Sequence, residues 1–582
     1  MTTTMRLVIV MVLAAVTASV VAFQVPSSGW SSCPPNTIPF DDADADTDDD
    51  ADVARRQRGA ALAAECQVFS MPLCHPGICD GTETLPIFVK RIASPVATSA
   101  IWVMDGGPGC SSVDMEILMQ DLFMDLNGTF SVYTMDHRGS GRSAKLTCDG
   151  DLKYAQDLAA CVDRLHAQYG PTADAFSTTS AAKDLTYLSP IIDPDVDWYV
   201  YGVSYGSYLM ARVLHLAHEF TFRGYLLDSI VPETLDVPNG DAAYGAVVAR
   251  YLRALDKGVT GSDTPLEDTL RMYYSELDDG ATPECASWLQ DVAGRAPVDP
   301  PSFAARRLFA ALVEASTLRT SFYPLLTLLQ GCSDADIEVL ETYVGPYLLD
   351  NDLLEPNFTS DYDSLVLYYV ILASEHQLFY SPAPPLATLA QYFTDQVVDN
   401  PVYRDFMAYC LFTNHRDQAC REQAYPATKG FSYAPDAYFN RTAPVPTSLL
   451  VLNGGLDPIT PDDQAQFQFE QYTTPHKLFV NVSDASHAVI DSPCGYDIIL
   501  SYLTNNGNVS SVNTTCLAHL PPLALELAPR LRQEMFGHQL LDANGDISLS
   551  SGLGLASIAP SSVPSTRLLL LAASSCWLLI TY

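Results

Sequence analysis

The chain has 582 residues, 48% of them hydrophobic and 17% charged, a composition of folded globular proteins rather than disordered ones. That length leaves room for a large domain carrying an inserted one. Against 69 Asp and Glu stand only 31 Lys and Arg, a formal net charge of −38, which repels a phosphate backbone and excludes nucleic-acid partners.

At the N-terminus, Arg6, the apolar run Leu7 to Val16 and the small residues Val20 and Ala22 read as a secretory signal over residues 1–22. A retained membrane helix would need about 20 apolar residues. Asp41 to Asp52 is nearly all Asp and Ala, and its self-repulsion predicts an extended stretch. With Arg55, Arg56 and Arg58 behind it, the segment 23–65 reads as an acidic linker or a propeptide without fixed structure. Sequons at Asn127, Asn357, Asn440, Asn481, Asn508 and Asn513, together with 14 cysteines, agree with export to the cell exterior or surface. Loss of Cys576 with the last apolar segment would leave one thiol unpaired. The cysteines and histidines lack zinc-site spacing, and the serine chemistry read below needs neither a metal nor an organic cofactor.

From Glu83 onward, short β-rich runs alternate with helical patterns. Strands are expected at Ile87 to Ile92, Ala100 to Met104, Ser131 to Met135, Trp198 to Val203, Gly224 to Leu227, Ser448 to Asn453 and Lys477 to Val482. Their apolar runs lack alternation, as in strands covered on both faces, which predicts a mostly parallel α/β sheet. Helix-forming stretches such as Leu308 to Leu318, Ile337 to Tyr347 and Leu365 to Phe379 interrupt the pattern. The predicted organisation is therefore a sheet core over 66–231, a helical cap over 232–443, the rest of the core over 444–530, and a linker and tail over 531–582. Asp542 to Asp546 is not a calcium loop, because Leu553 stands where a chelating Glu belongs. The apolar end, Leu568 to Tyr582, follows small residues at Ser550, Ser551, Gly552, Ala556 and Ser557. It reads either as the signal for a glycolipid (GPI) anchor, and so membrane attachment, or as a disordered or membrane-dipping tail.

Gly202-Val203-Ser204-Tyr205-Gly206 sits between an apolar strand and a helical run, the setting of a nucleophile elbow. There a tight turn presents the serine hydroxyl at a helix N-terminus, where backbone N–H groups favour developing negative charge. Serine needs a base, and His487 lies late in the chain on a loop just after the last expected strand. Asp457, immediately after another strand, can orient that imidazole. The order Ser204, Asp457, His487 is that of an α/β-hydrolase, so this fold is expected, with the helical region as a large cap insertion. An oxyanion hole is expected from the N–H groups of Gly107, in Asp105-Gly-Gly-Pro-Gly, and of Tyr205.

Taken together, Gly106-Gly-Pro-Gly, Asp136-His-Arg-Gly-Ser-Gly-Arg-Ser, Gly202-Val-Ser-Tyr-Gly-Ser, Gly455-Leu-Asp-Pro-Ile-Thr-Pro and Ser486-His-Ala-Val-Ile-Asp-Ser-Pro-Cys resemble the prolyl and tripeptidyl aminopeptidase family of serine peptidases. The resemblance runs from about Cys66 to Cys516. It implies peptide substrates, release of amino acids or short peptides from free N-termini, and a cap that blocks long internal segments. It also implies that Glu375, in Ile371-Leu-Ala-Ser-Glu, holds the substrate amine through a charge-assisted hydrogen bond. Asp136 and Arg138 are expected to buttress the site. The segment Gly-Gly-Pro-Gly-Cys-Ser-Ser is also similar to serine carboxypeptidases, whose nucleophile motif, however, carries Glu where this chain has Val203 and Ala where it has Gly206. A carboxypeptidase, or an esterase or lipase with the same triad, stays the alternative; a catalytically inert binding protein would not need these three residues.

Overall fold

A computed structural model describes residues 29–38, 58–59, 61–234, 240–260, 263–293, 300–350, 361–376, 382–399 and 402–537. The signal segment, the acidic run, Asn357, the Asp542–Asp546 stretch, Cys576 and the apolar tail lie outside these residues.

Nine strands form one sheet: β1 (Ser31–Cys33), β2 (Ala64–Pro72), β3 (Thr84–Ile92), β4 (Ser99–Met104), β5 (Phe130–Met135), β6 (Asp197–Val203), β7 (Gly224–Asp228), β8 (Ser448–Gly454) and β9 (Lys477–Val482). Their order is β1-β2-β3-β5-β4-β6-β7-β8-β9. The ladders from β5 through β9 are parallel, and β1, β2 and β3 extend the sheet antiparallel. All seven strands expected from sequence lie within this set. Every residue of β4, β5 and β8 is buried, which is why their sequences are continuous apolar runs without alternation. One face packs Trp102, Tyr133 and Trp198 in mutual ring contact. The other packs Ile101, Val103, Tyr199 and Leu450 against Ile498 and Ile499.

Two strands escaped the sequence reading. β2 mixes buried and exposed positions, with Val68 48% exposed, so its apolar signal is diluted. β1 lies inside the stretch 23–65 that the sequence assigns to an unstructured segment, and that assignment is corrected here. Three edge residues carry no periodicity, and what orders them is tertiary. Cys33 is bonded to Cys66. Trp30 meets Phe69 and Tyr133 edge-on and takes the Arg91 guanidinium 3.9 Å above its ring. Thr37 donates through Oγ1 to Glu116 at 2.6 Å, at the start of α1 (Glu116–Asp125).

Helices α2 (Ala155–Tyr169), α3 (Thr178–Ile192) and α4 (Tyr205–His215) follow within the first part of the core. The inserted region is helical as expected, but it is not one body. Its first part holds α5 (Gly240–Leu255), α6 (Leu266–Asp278), α7 (Pro283–Ala293), α8 (Pro301–Glu314) and α9 (Phe322–Gly331). These close around Tyr251, Leu270, Leu289, Phe309 and Leu325 as a separate core. Its second part, with α10 (Leu365–Ile371) and α11 (Phe406–Phe412), shares the core of the sheet instead: Leu367, Ile371 and Phe412 belong to the same cluster as Phe176 and Trp102. Leu527, Leu531, Met535 and Phe536 complete the first core, so the chain is packed beyond the linker boundary expected at 531. Six disulfides join described cysteines, and none of the described cysteines is free. Asn127, Asn440, Asn481, Asn508 and Asn513 are all exposed.

Candidate active site

Between β6 and α4 the chain turns within a single residue. Ser204 holds φ +57°, ψ −129°, outside the ordinary regions for a side chain bearing Cβ, and α4 begins at the next residue. Its backbone N–H donates to Asp228 O at 3.0 Å across the β6–β7 edge. Glycine is required on both sides of the turn. A Cβ at Gly202 would lie 2.1 Å from Gly206 O, and one at Gly206 would lie 2.6 Å from Asp105 O. The Ser204 hydroxyl is buried and makes no hydrogen bond among the described residues.

The other two candidates meet directly. Asp457 follows β8, His487 follows β9, and His487 Nδ1 stands 2.9 Å from Asp457 Oδ2. Asp457 is fully buried: Oδ1 accepts from the N–H of Ile459 and of Thr460, each at 2.9 Å, and Oδ2 accepts from Thr460 Oγ1 at 2.5 Å. These donors fix the carboxylate in place, and the contact directs Nδ1 of the imidazole at it, leaving Nε2 for the nucleophile.

The residue that links nucleophile and base was not legible from motif reading. Asp228 ends β7, one position past the stretch expected as a strand. Its carbonyl holds the Ser204 amide, while its carboxylate accepts from Val489 N–H and Ile490 N–H, each at 2.9 Å, and from Tyr201 O–H at 2.8 Å. The neighbouring Ser229 hydroxyl accepts from Ala488 N–H at 2.8 Å. The only sequence signal was an acid at the end of an apolar strand.

The expected oxyanion loop packs against the elbow. A Cβ at Gly106 would fall 2.8 Å from Ser204 Cβ, and Gly107 adopts φ +104°, which favours glycine. Tyr205 occupies the first position of α4, so its N–H belongs to the amide-rich helix end. Its hydroxyl stands 2.9 Å from Thr178 Oγ1 and 3.2 Å from His137 Nε2. Because His137 Nδ1 faces Arg138 O at 2.6 Å, that nitrogen carries the proton and Nε2 accepts from Tyr205. Burial pushes the His137 pKa down to about 4 and keeps the ring neutral.

Asp136 and Arg138 bond to the framework. Asp136 pairs with Arg142 at 2.7 Å and accepts from Ser112, while Arg138 is buried against Asp184 at 2.7 Å and the carbonyls of Leu73 and Ala175. Glu375 is also buried. Its carboxylate accepts from Thr178 N–H at 2.9 Å and Tyr433 O–H at 2.6 Å, and it pairs with Arg212 at 3.4 Å. Arg212 in turn pairs with Asp436 at 2.8 Å, so this network ties α4 to the second part of the insertion.

Asp105, between β4 and the oxyanion loop, carries a pH consequence. Its Oδ1 accepts from Gly106 N–H at 2.6 Å, and its Oδ2 is buried without a hydrogen-bond partner among the described residues. Burial first, and then the charges of Asp363, Asp491 and Asp136, push its pKa up to about 8. An unfolded chain releases this proton near 3.8, so above that pH the folded state binds more protons and loses stability as pH rises to about 8. His75 and His137, both held low by burial, are neutral above their ordinary 6.5 and do not offset the loss there. Between pH 6.5 and 8 the extra proton on Asp105 should therefore make stability fall with rising pH, the slope fading as pH nears 8. Urea midpoints measured at the two pH values are expected to fall accordingly; equal midpoints would contradict the assignment.

No family model matches the chain, and no curated protein sequence matches it. Among solved structures it is similar to proline iminopeptidase of Mycobacterium smegmatis, at 12% identity and TM-score 0.32, covering 76% of this chain and 100% of that one. It is also similar to a lipase in its open form, at 13% identity and TM-score 0.29, covering 78% of this chain and 100% of that one. A third is the thermostable carboxyl esterase of Bacillus coagulans, at 12% identity and TM-score 0.31, covering 76% of this chain and 98% of that one. Likeness at these TM-scores carries no argument, so the assignment rests on strand order, the turn at Ser204 and the loops after β8 and β9. On that topology the chain has the α/β-hydrolase fold.

Proposed function

We propose that the chain is a serine hydrolase working through an acyl-enzyme, and that its substrates are peptides with free N-termini. The observation that carries the reading is the 2.9 Å contact between His487 Nδ1 and a fully buried Asp457, with Asp228 joining the His487 loop to the Ser204 amide. Ser204 Oγ attacks the substrate carbonyl while His487 Nε2 takes its proton, and Asp457 stabilises the imidazolium that forms. The N–H groups of Tyr205 and Gly107 hold the oxyanion. The imidazolium then protonates the leaving amine, and the same nitrogen deprotonates water to release the acid product. The six disulfides among the described residues support a location outside the reducing cytosol, at the cell surface or secreted.

The choice of peptide substrates rests on the motif resemblance and on the large insertion beside the site. Glu375 is proposed as the amine anchor, although it would have to exchange one of its three present donors for a substrate ammonium. That satisfied carboxylate favours a second reading, an acyl hydrolase indifferent to the amine. A short peptide with a fluorogenic C-terminal leaving group separates the two. Cleavage of the free-amine form with loss of at least about 100-fold in kcat/KM on N-acetylation, near 2.7 kcal/mol, supports the aminopeptidase. Equal cleavage of both forms supports the acyl hydrolase.

A further inference from the structure

α8 ends at Glu314, and the short turn after it delivers one side chain from the insertion to the loops that carry Asp457 and His487. That side chain is Arg319, only 3% exposed. Its Nε donates to Val313 O at 2.7 Å, within its own turn. The two terminal nitrogens leave the insertion: Nη1 donates to Asp484 O at 3.3 Å, and Nη2 donates to Leu456 O and, at 2.9 Å, to Ser486 Oγ. The Leu456 carbonyl belongs to the peptide bond that leads into Asp457, and Ser486 immediately precedes His487. Ser486 Oγ donates onward to Glu314 O at 2.6 Å, so the clip closes on the insertion from both ends. Tyr251, in the core of that first part, donates to Arg319 O at 2.5 Å and fixes the turn itself.

We propose that Arg319 is a positioning residue that locks the acid-bearing and base-bearing loops in register, making the Asp457–His487 pair dependent on the seating of the inserted helical body. This rests on the serine-hydrolase reading of that pair. The chemistry explains why the position holds arginine. Only a planar fork reaches acceptors on two loops at once, whereas lysine offers a single point of charge. All four acceptors are carbonyl or hydroxyl oxygens and none is a carboxylate, an expensive way to bury a cation if local packing were the only need. Burial lowers the Arg319 pKa only to about 10, so the group remains charged at neutral pH. Leu456 N–H also donates to Ala485 O at 3.0 Å, so the two loops touch directly and the guanidinium braces an existing contact.

The test compares the full chain with Arg319→Met, Arg319→Lys and Arg250→Met. Arg250 forms a different tie from insertion to core, a 2.6 Å pair with Asp462 that touches neither loop at its triad residue. Two readouts are taken: kcat and KM per site titrated with a serine-directed phosphonate, and amide exchange of peptides covering 454–461, 483–491 and 198–212. Arg319→Met is expected to lower kcat about 100-fold with KM within about threefold, the signature of misplaced catalytic groups. Exchange should rise in 454–461 and 483–491 and stay unchanged in 198–212, with Arg319→Lys intermediate and Arg250→Met like the parent. Unchanged exchange in both loops, an unchanged kcat per titrated site, or an equal loss in Arg250→Met overturns the proposal. If Arg319→Met does not fold, Arg319→Lys decides on the same readouts. Should the parent prove inert to phosphonate and substrate, the hydrolase reading fails, while the exchange measurement still decides whether Arg319 braces the two loops.

Discussion

Replacing Ser204 with alanine is expected to abolish turnover of every substrate the parent cleaves, lowering kcat by about 10⁶-fold, or roughly 8 kcal/mol of transition-state stabilisation. The size follows from geometry. Ser204 supplies the atom that becomes covalently bonded to the acyl group, and its buried hydroxyl has no hydrogen bond among the described residues to hold it back. Folding should survive the change, because the strained backbone at Ser204 is imposed by the packing of Gly202 and Gly206 and by the amide bond to Asp228 O. Alanine adopts φ +57° no less readily than serine, so the thermal midpoint should stay within a few degrees. Progress curves at equal folded protein check the loss. Residual activity above about one percent of the parent would move the nucleophile elsewhere.

The second large effect is expected at Asp457. Asparagine there keeps the volume and offers one oxygen, but its amide nitrogen faces donors: Ile459 N–H, Thr460 N–H and Thr460 Oγ1 already surround the carboxylate. Whichever way the amide turns, a donor confronts a donor, or the amide presents N–H to His487 Nδ1 and drives the ring into the wrong tautomer. The proton then sits on Nε2, where it cannot accept from Ser204. A fall in kcat of about 10⁴-fold is expected, smaller than for Ser204 because the nucleophile and oxyanion donors remain. The loss should shrink at alkaline pH, where hydroxide replaces the base. A pH–rate profile of Asp457→Asn checks this, and a loss of less than about tenfold at neutral pH would remove Asp457 from the orienting role.

Much of this arrangement could be read from residues in a row. Strands β4 through β8 announced themselves as apolar runs because both faces of each are covered, and the elbow did so because its turn leaves no room for a Cβ at Gly202 or Gly206. The pairing of Asp457 with His487 was legible from their positions after successive strands, although nothing in the local sequence fixes a 2.9 Å contact. What stayed hidden depends on residues far apart in the chain. β1 exists through Cys33–Cys66 and the rings about Trp30. The division of the insertion follows from which core each helix joins, and helix periodicity is blind to that. Asp228 and Arg319 carry no motif, since their roles lie in backbone groups some 260 and 137 residues away. Glu375 was singled out as an amine anchor; that it is buried against Arg212 and Tyr433 appears only once α4 and the second part of the insertion are placed together.

The most direct measurement is covalent labelling with a serine-directed phosphonate, followed by mass mapping of the modified peptide. One adduct per chain on the peptide containing Ser204, absent from Ser204→Ala, is the expected result. No adduct on the folded parent, or an adduct on a different residue, would contradict the account.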